Sequence, residues 1–404
     1  MQKATDNVLR ASNPESIEGR PIVRGLDLNK PENQSLDAVI GSFEHIGFSA
    51  TTVAKGIEEV RRMLAWRLSD DPYDPDRDFP EDQAERSKIR CKIFLGYTSN
   101  LVSSGLREYI RFLVQHKLVD VVVSSAGGVE EDIIKCLAPT FLGDFHLSGA
   151  KLREESINRI GNLLVPNENY CLFEQWIIPI FDECLEEQRQ GYHWTPSRLI
   201  WRLGERIADE TSIAYWAWKN HIPIFCPAIT DGSLGDMLFF HSHKNPGLII
   251  DVVGDIRAMN TQPIKSPKNG CIILGSGVIK HHILNANLFA GDGADFALYI
   301  NTAHEFDGSD AGASCDEAVS WGKISPTARP VKICADAAIV FPLVLQQTLL
   351  QEYLKEPEYW DGKKYDDPHA CYWTQLEEEA KDPELQRRLE EARLRKMQQK
   401  HQNQ

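Results

Sequence analysis

Residues 301–323, reading NTAHEFDGSDAGASCDEAVSWGK, bring together side chains whose types and spacing could do chemistry. Five carboxylates, Glu305, Asp307, Asp310, Asp316 and Glu317, lie on a backbone broken by Gly308, Gly312 and Gly322. The indole of Trp321 stands two residues before the single lysine, Lys323. Acids on a solvated loop normally alternate with lysines and arginines. Negative charge collected beside one amine and one aromatic face suits a cationic ligand. An amine among carboxylates stays an inert ammonium until their charge is taken up. If the ligand's own ammonium groups do so, like-charge repulsion and loss of water drive off the lysine proton and leave a Schiff-base nucleophile. A calcium-like or merely solvated acidic loop with a structural lysine accounts for the same residues, and the loop alone does not choose.

Positioning such a loop takes a rigid frame. Short apolar runs at 92–95, 119–124, 222–225, 248–252, 271–274, 296–300 and 331–334 predict strands. Longer amphipathic stretches at 105–116, 130–137, 172–187, 196–207, 212–220 and 278–287 predict helices between them. A helical stripe of Val53, Ile57, Val60 and Leu64 runs through 49–68 and should pack on the sheet. Buried strands alternating with helices predict an α/β fold, a mostly parallel central sheet with helices on both faces. Ligands then gather at the carboxyl ends of the strands.

The other motifs fall at such ends. Residues 97–105, YTSNLVSSG, offer small side chains and free amides at a helix start, able to hold a diphosphate or simply to cap the helix. Residues 124–132, SSAGGVEED, let a ligand approach the backbone. Their three acids, in a first helical turn, favour a hydroxyl or a cation or only complement the helix dipole. Asp231 and Asp236 straddle a Gly-Ser turn and could address two parts of a bound complex. Residues 273–282, ILGSGVIKHH, start like a dinucleotide fingerprint but have Lys280 where the third glycine belongs. His281, one turn into that helix, could take a proton near neutrality or serve only in packing. His241 and His243 lack a completing cysteine or carboxylate, so no metal is expected.

The segments Asn301-Thr302-Ala303, Glu305-Phe306-Asp307-Gly308-Ser309-Asp310 and Asp316-Glu317-Ala318-Val319-Ser320-Trp321-Gly322-Lys323 closely resemble the signature of the deoxyhypusine synthase family, and the similarity extends over about residues 24–345. The resemblance implies a Rossmann-like enzyme that oxidises spermidine with NAD and moves its aminobutyl arm through an imine on the active-site lysine. The arm is delivered to one lysine of the translation initiation factor 5A precursor. By resemblance, Lys323 carries the imine and His281 is the acid/base. Ser99, Asn100, Leu101, Val102, Ser103, Ser125, Ala126 and Gly127 line NAD, as do Glu131, Asp231, Ser276, Thr302, Ala303, Asp336 and Ala337. Glu130, Glu131, Asp236, Asn285, Leu288, Gly308, Ser309, Asp310, Glu317 and Trp321 meet the polyamine, together with His281 and Lys323. Ser276 stands where the family usually has glycine, and His304, Ala311, Ser314 and Cys315 also depart from it. A homospermidine synthase with a diamine acceptor would use the same residues. A silent regulatory paralogue is a further alternative, against which both His281 and Lys323 argue.

Composition bounds the remaining choices. The 404 residues carry a net charge of −15, with 42% hydrophobic and 25% charged residues, an ordinary balance for a folded chain. Such a surface repels nucleic acid and anionic membranes and attracts polyamines or basic protein patches over a screening length of ~8 Å. The nine cysteines form no CxxC pair and read as reduced thiols. No apolar run reaches the ~20 residues of a membrane span, so a cytoplasmic location is expected. Residues 1–45 read as an N-terminal arm, which in the family covers a neighbouring subunit's site in a homotetramer. Residues 46–370 read as a single catalytic domain and 371–404 as a charged tail. Residues 69–86 read as a solvated acidic loop and 143–166 as a polar link.

Overall fold

The computed structural model describes residues 8–363 except Ala11, Asp76 and Asp78, together with Pro383 and Arg387. The tail expected at 371–404 otherwise lies outside the described residues. Two compact units are distinguished, Met1–Lys55 and Gly56–Gln404, with the boundary inside the helix Phe48–Ala65. In the first unit, short helices at Leu36–Gly41 and Phe43–Ile46 follow two single-turn segments, and the apolar pair Ile22 and Val23 is exposed.

Among the described residues the second unit contains nine strands: β1 (Lys92–Tyr97), β2 (Val121–Ser124), β3 (Phe141–Leu142), β4 (Ile157–Ile160), β5 (Leu163–Pro166), β6 (Ile224–Phe225), β7 (Asn269–Leu274), β8 (Phe296–Asn301) and β9 (Val331–Cys334). Six form a wholly parallel sheet in the order β6-β2-β1-β7-β8-β9. The chain steps outward from β1 through β2 to β6, returns to β7, and steps outward the other way. The order therefore reverses between β1 and β7, and in a doubly wound sheet the loops on either side of that seam diverge and leave a crevice. β2, β7 and β8 are buried at every residue, which is why they read as unbroken apolar runs rather than alternating ones. Phe94, Val123, Ile273 and Tyr299 from this sheet pack with Ile279 and Ile283 of the helix Val278–Asn287 in one core.

Two expectations need correcting and a third needs an addition. Residues 248–252 form no strand: Asp251 accepts the Val253 N–H at 2.8 Å and caps a helix, Val252–Ile264, that the sequence reading missed. Ile249 is 67% exposed, so the apolar run lies on the surface with no neighbouring strand to pair it. The polar link holds β4 and β5, which with β3 just before it form a second, antiparallel sheet, β3-β5-β4, whose β4–β5 turn uses Gly161 at a φ of 58°. The acidic loop is built around Arg86, buried and donating to the carbonyls of Leu68, Asp71 and Pro72 at 2.8, 2.8 and 3.2 Å. Most of the segment is exposed, as a solvated loop would be, and the additions are this internal anchor and the short helix Gln83–Arg86. Among the described residues no helix is long and apolar enough to cross a membrane.

The helix after β2, Ala126–Leu137, is fastened by an ion pair buried on both sides. Asp132 accepts Arg107 Nε at 2.8 Å, Ser212 Oγ at 2.7 Å and the Ile213 and Ala214 N–H groups at 3.0 and 2.9 Å. Removing one partner of a buried pair strands the other without solvent. Asp132→Ala is expected to cost about 3–5 kcal/mol in chemical denaturation. A loss under about 1 kcal/mol would show that Arg107 finds water or another acceptor.

Candidate active site

The helix Val278–Asn287 and the loop after β8 converge on a cavity of about 560 Å³ at the carboxyl ends of the central strands. The helix and its cap supply His281, Asn285 and Leu288; the loop supplies Gly308, Asp310 and Glu317, followed by Trp321 and Lys323. Ser314 Oγ accepts the Glu317 N–H and starts the helix Cys315–Ser320, which turns Glu317 toward the cavity. Past that helix Gly322, at a φ of 73°, reverses the chain, and Lys323 is pinned through its backbone to Ala318 and Ala294 at 2.9 and 3.0 Å. The Lys323 ammonium lies over the Trp321 ring at 5.7 Å, within cation–π range.

The sequence holds two adjacent histidines, and the structure separates them. His281 is on the cavity side, its Nδ1 3.2 Å from Asp310 Oδ1. His282 points away into a second, smaller cavity beside Asp255, and burial, with His281 as a lesser influence, pulls it down to about 4, so it stays neutral. Lys280, noted in the sequence only as a misplaced residue of a fingerprint, is buried and donates to the carbonyls of Asp310 and Ala313.

The remaining expected residues lie along the same edge of the sheet but outside this cavity. Ser99–Ser103 form a one-turn helix after β1, and Lys135 donates to the carbonyls of Val102, Ser103 and Ser104. The helix after β2 begins at Ala126, four residues earlier than expected, so Glu130 and Glu131 sit one turn in rather than at the dipole end. A Cβ at Gly127 would lie 2.7 Å from Ser99 Cβ, so the loops after β1 and β2 touch because glycine is there. Glu131 accepts the Tyr170 hydroxyl at 3.3 Å, and burial raises its carboxyl. Asp231 and Asp236 are exposed at the start of the helix Ser233–Lys244. Asn301 Oδ1 accepts the Ala303 N–H, which shapes the exit from β8 beside the exposed Thr302, and Ser309 lies on the exposed loop. Asp336 caps Ala337–Gln347.

This arrangement fits a phosphate-bearing cofactor across the seam. The helices starting at Ala126 and Val278 have no side-chain cap, so apart from the Gly128 N–H, which donates to the Ser125 carbonyl, no cap competes with an anion for their first amides. Ser125 Oγ, Ser276 Oγ and Glu131 Oε2 are buried without a partner among the described residues, as groups awaiting a ligand would be. Gly275, at a φ of 81°, closes the β7 turn where a Cβ would meet Thr98 Oγ1 at 2.5 Å.

Comparison with known proteins decides the family. The deoxyhypusine synthase family profile matches residues 38–348. The chain belongs to the deoxyhypusine synthase family. The deoxyhypusine synthase of Nicotiana tabacum is 56% identical over 348 residues, covering 83% of this chain and 91% of that one. The Caenorhabditis elegans deoxyhypusine synthase is 56% identical over 340 residues, covering 82% and 90%. An Entamoeba histolytica crystal structure bearing the same family name superposes with a TM-score of 0.59 at 33% identity, over 81% of this chain and 97% of that one. The expected α/β architecture is the observed one, and the chain is a transferase of the deoxyhypusine synthase kind.

Glu130 yields a pH prediction. It is 6% exposed and accepts the Leu234 N–H at 2.6 Å, serving as the cap that Gly232 cannot supply to Ser233–Lys244. Burial raises its carboxyl to about 7, against the lowering pull of the Leu234 and Ser233 amides. The native state thus holds a proton that the unfolded chain loses near the ordinary carboxylate range. Its stabilising share is fully present below that range and is lost as pH rises through about 7. Between pH 5 and 8 the wild type should lose on the order of 2–3 kcal/mol relative to Glu130→Gln, measured by urea denaturation. Parallel stability curves for the two proteins would contradict this.

Proposed function

We propose that this transferase moves the 4-aminobutyl group of spermidine to one lysine of the translation initiation factor 5A precursor, with NAD as a recycled hydride carrier. The observation that carries the reading is that His281 and Lys323 line one cavity with Asp310, Glu317 and Trp321. When bound, NAD takes a hydride from the substrate and returns it at the end of the cycle. Ser125, Gly127, Glu131 and Ser276, with the loop 99–103 and Thr302, Ala303, Asp231, Asp336 and Ala337, are the residues assigned to hold it.

The chain's own groups have separable tasks. Asp310 and Glu317 receive the ammonium ends of the polyamine, and Trp321 covers its methylenes. Asp310 Oδ1 accepting from Nδ1 fixes the His281 tautomer, so Nε2 keeps the lone pair that takes a proton from the secondary amine as it is oxidised. Once spermidine's charges neutralise the acids, Lys323 can shed its proton and attack the resulting imine carbon. Diaminopropane leaves as the amine, and the butyl group remains as an imine on Lys323. The precursor's lysine displaces Lys323 by a second imine exchange, which restores the enzyme.

The polyamine contacts assigned to Glu130, Glu131 and Asp236 are not among the cavity's lining residues, and they lie on the β2 and β6 side of the seam. This supports a homotetramer in which a neighbouring subunit completes each site, with residues 1–45 as an arm toward it. The mostly buried, free cysteines support a cytoplasmic location.

Purified protein given NAD and spermidine labelled in the butyl arm should transfer label to the precursor protein and not to putrescine. Borohydride added before the acceptor should fix the label on Lys323. An undiminished adduct in Lys323→Ala would remove that residue from the reaction, and label on the diamine would make the enzyme a homospermidine synthase.

A further inference from the structure

Lys280, which also lines the cavity, and Lys332 are both committed to the backbone of one loop. Lys280, 1% exposed, donates through Nζ to Asp310 O at 2.5 Å and to Ala313 O at 3.0 Å. Lys332, on β9, donates to Gly312 O at 2.6 Å. The loop follows β8, whose sheet neighbours are β7 and β9. One lysine comes from the helix that follows β7 and the other from β9 itself, so the loop is held from both flanking strands.

Irregular backbone has no ladder to satisfy its carbonyls, and a bond from an ammonium is stronger than one from a neutral donor. An ammonium as buried as that of Lys280 is costly unless its donors are used. Burial pulls Lys280 below the ordinary lysine value, and the nearby Asp310 charge acts the other way. The geometry is also specific. Lys280 binds the carbonyl of Asp310 while the next residue, His281, meets its carboxylate at 3.2 Å. Consecutive residues of one helix thus hold both ends of the same aspartate.

We propose that Lys280 and Lys332 are positioning residues that clamp residues 310–313, keeping the Asp310 carboxylate on His281 Nδ1 and so presenting Nε2 to the substrate. The proposal rests on His281 being the proton acceptor. Lys280→Met and Lys332→Met keep the aliphatic stems and remove the donors. Each should lower kcat/KM for NAD-dependent spermidine cleavage by about 10- to 100-fold, the scale of an ångström's misplacement of a reacting group, chiefly in kcat. KM for spermidine should change little, because a misplaced proton acceptor slows the chemical step without removing a binding contact. Lys332→Arg, which keeps a cationic donor, should recover part of the loss.

A double-mutant cycle gives the decisive readout. With Asp310→Asn already in place, adding either lysine substitution should cost less than about threefold, since the coupling runs through that aspartate. A further loss as large as in the wild-type background, or a loss carried by KM with kcat intact in both single variants, overturns the proposal and leaves the lysines with a role in general stability. If Lys280→Met does not fold, Lys332→Met alone and with Asp310→Asn decides by the same criteria. Full turnover in His281→Ala would instead overturn the assignment of the base, an outcome the cycle does not mimic.

Discussion

The reversal of strand order between β1 and β7 constrains everything else in the catalytic unit. Parallel strands deliver every loop-to-helix turn to one edge, and only at the seam do neighbouring turns part. A ligand there must meet backbone closely. Positive φ at Gly275 and Gly277, on the β7 turn beside Thr98, provides that approach. The uncapped helix starts at Ala126 and Val278 and the partnerless hydroxyls of Ser125 and Ser276 follow from the same constraint. Each of these groups would be a defect in a site meant to stay apolar, and together they are compatible with a polar ligand supplying what the protein withholds.

A second constraint is electrostatic. A loop with five carboxylates in thirteen residues repels itself, and counter-cations on those carboxylates would consume the groups meant for a cationic ligand. Here the cations act on the backbone instead. Lys280 and Lys332 neutralise the region through carbonyls, while the Asp310 and Glu317 carboxylates stay exposed toward the cavity. Lys323 is likewise kept off the acids, over the Trp321 ring. An amine locked into a buried ion pair would be hard to move, whereas one resting on an aromatic face is held more weakly and is freer to reposition when a ligand enters.

Much of this was legible from residue order. The strands β2, β7 and β8 could be read because full burial makes a strand uniformly apolar, β1 because all but its first residue is buried, and the loop 301–323 because its composition is unlike that of solvated loops. What failed had physical causes too. Residues 248–252 are as apolar as a core strand, but no neighbouring edge exists to pair them, and that depends on topology rather than on local pattern. The β4–β5 hairpin was signalled by Gly161-Asn162 between Ile160 and Leu163, a two-residue turn masked by polar surroundings. Lys280 was invisible as a functional residue because its partners are carbonyls, which every residue type possesses. Asp132 was grouped with Glu130 and Glu131 by adjacency, yet the helix turns it onto Arg107 and away from the edge where ligands gather.

Exposure of the residues proposed to act on the substrate bears on assembly. The His281 side chain is 53% exposed and Trp321 is 66% exposed, although proton abstraction by an imidazole and attack by a neutral amine both gain from exclusion of water. The acids assigned to the polyamine are moreover divided, with Asp310 and Glu317 after β8 and Glu130, Glu131 and Asp236 after β2 and β6. A linear triamine bound in the cavity meets Asp310 and Glu317, while the second set of acids does not line it. Closing the cavity with a second copy of the same surface would bury the indole and the imidazole together and set acids from two chains around one substrate. The exposure of the cavity in a single chain is what the proposed assembly would remove.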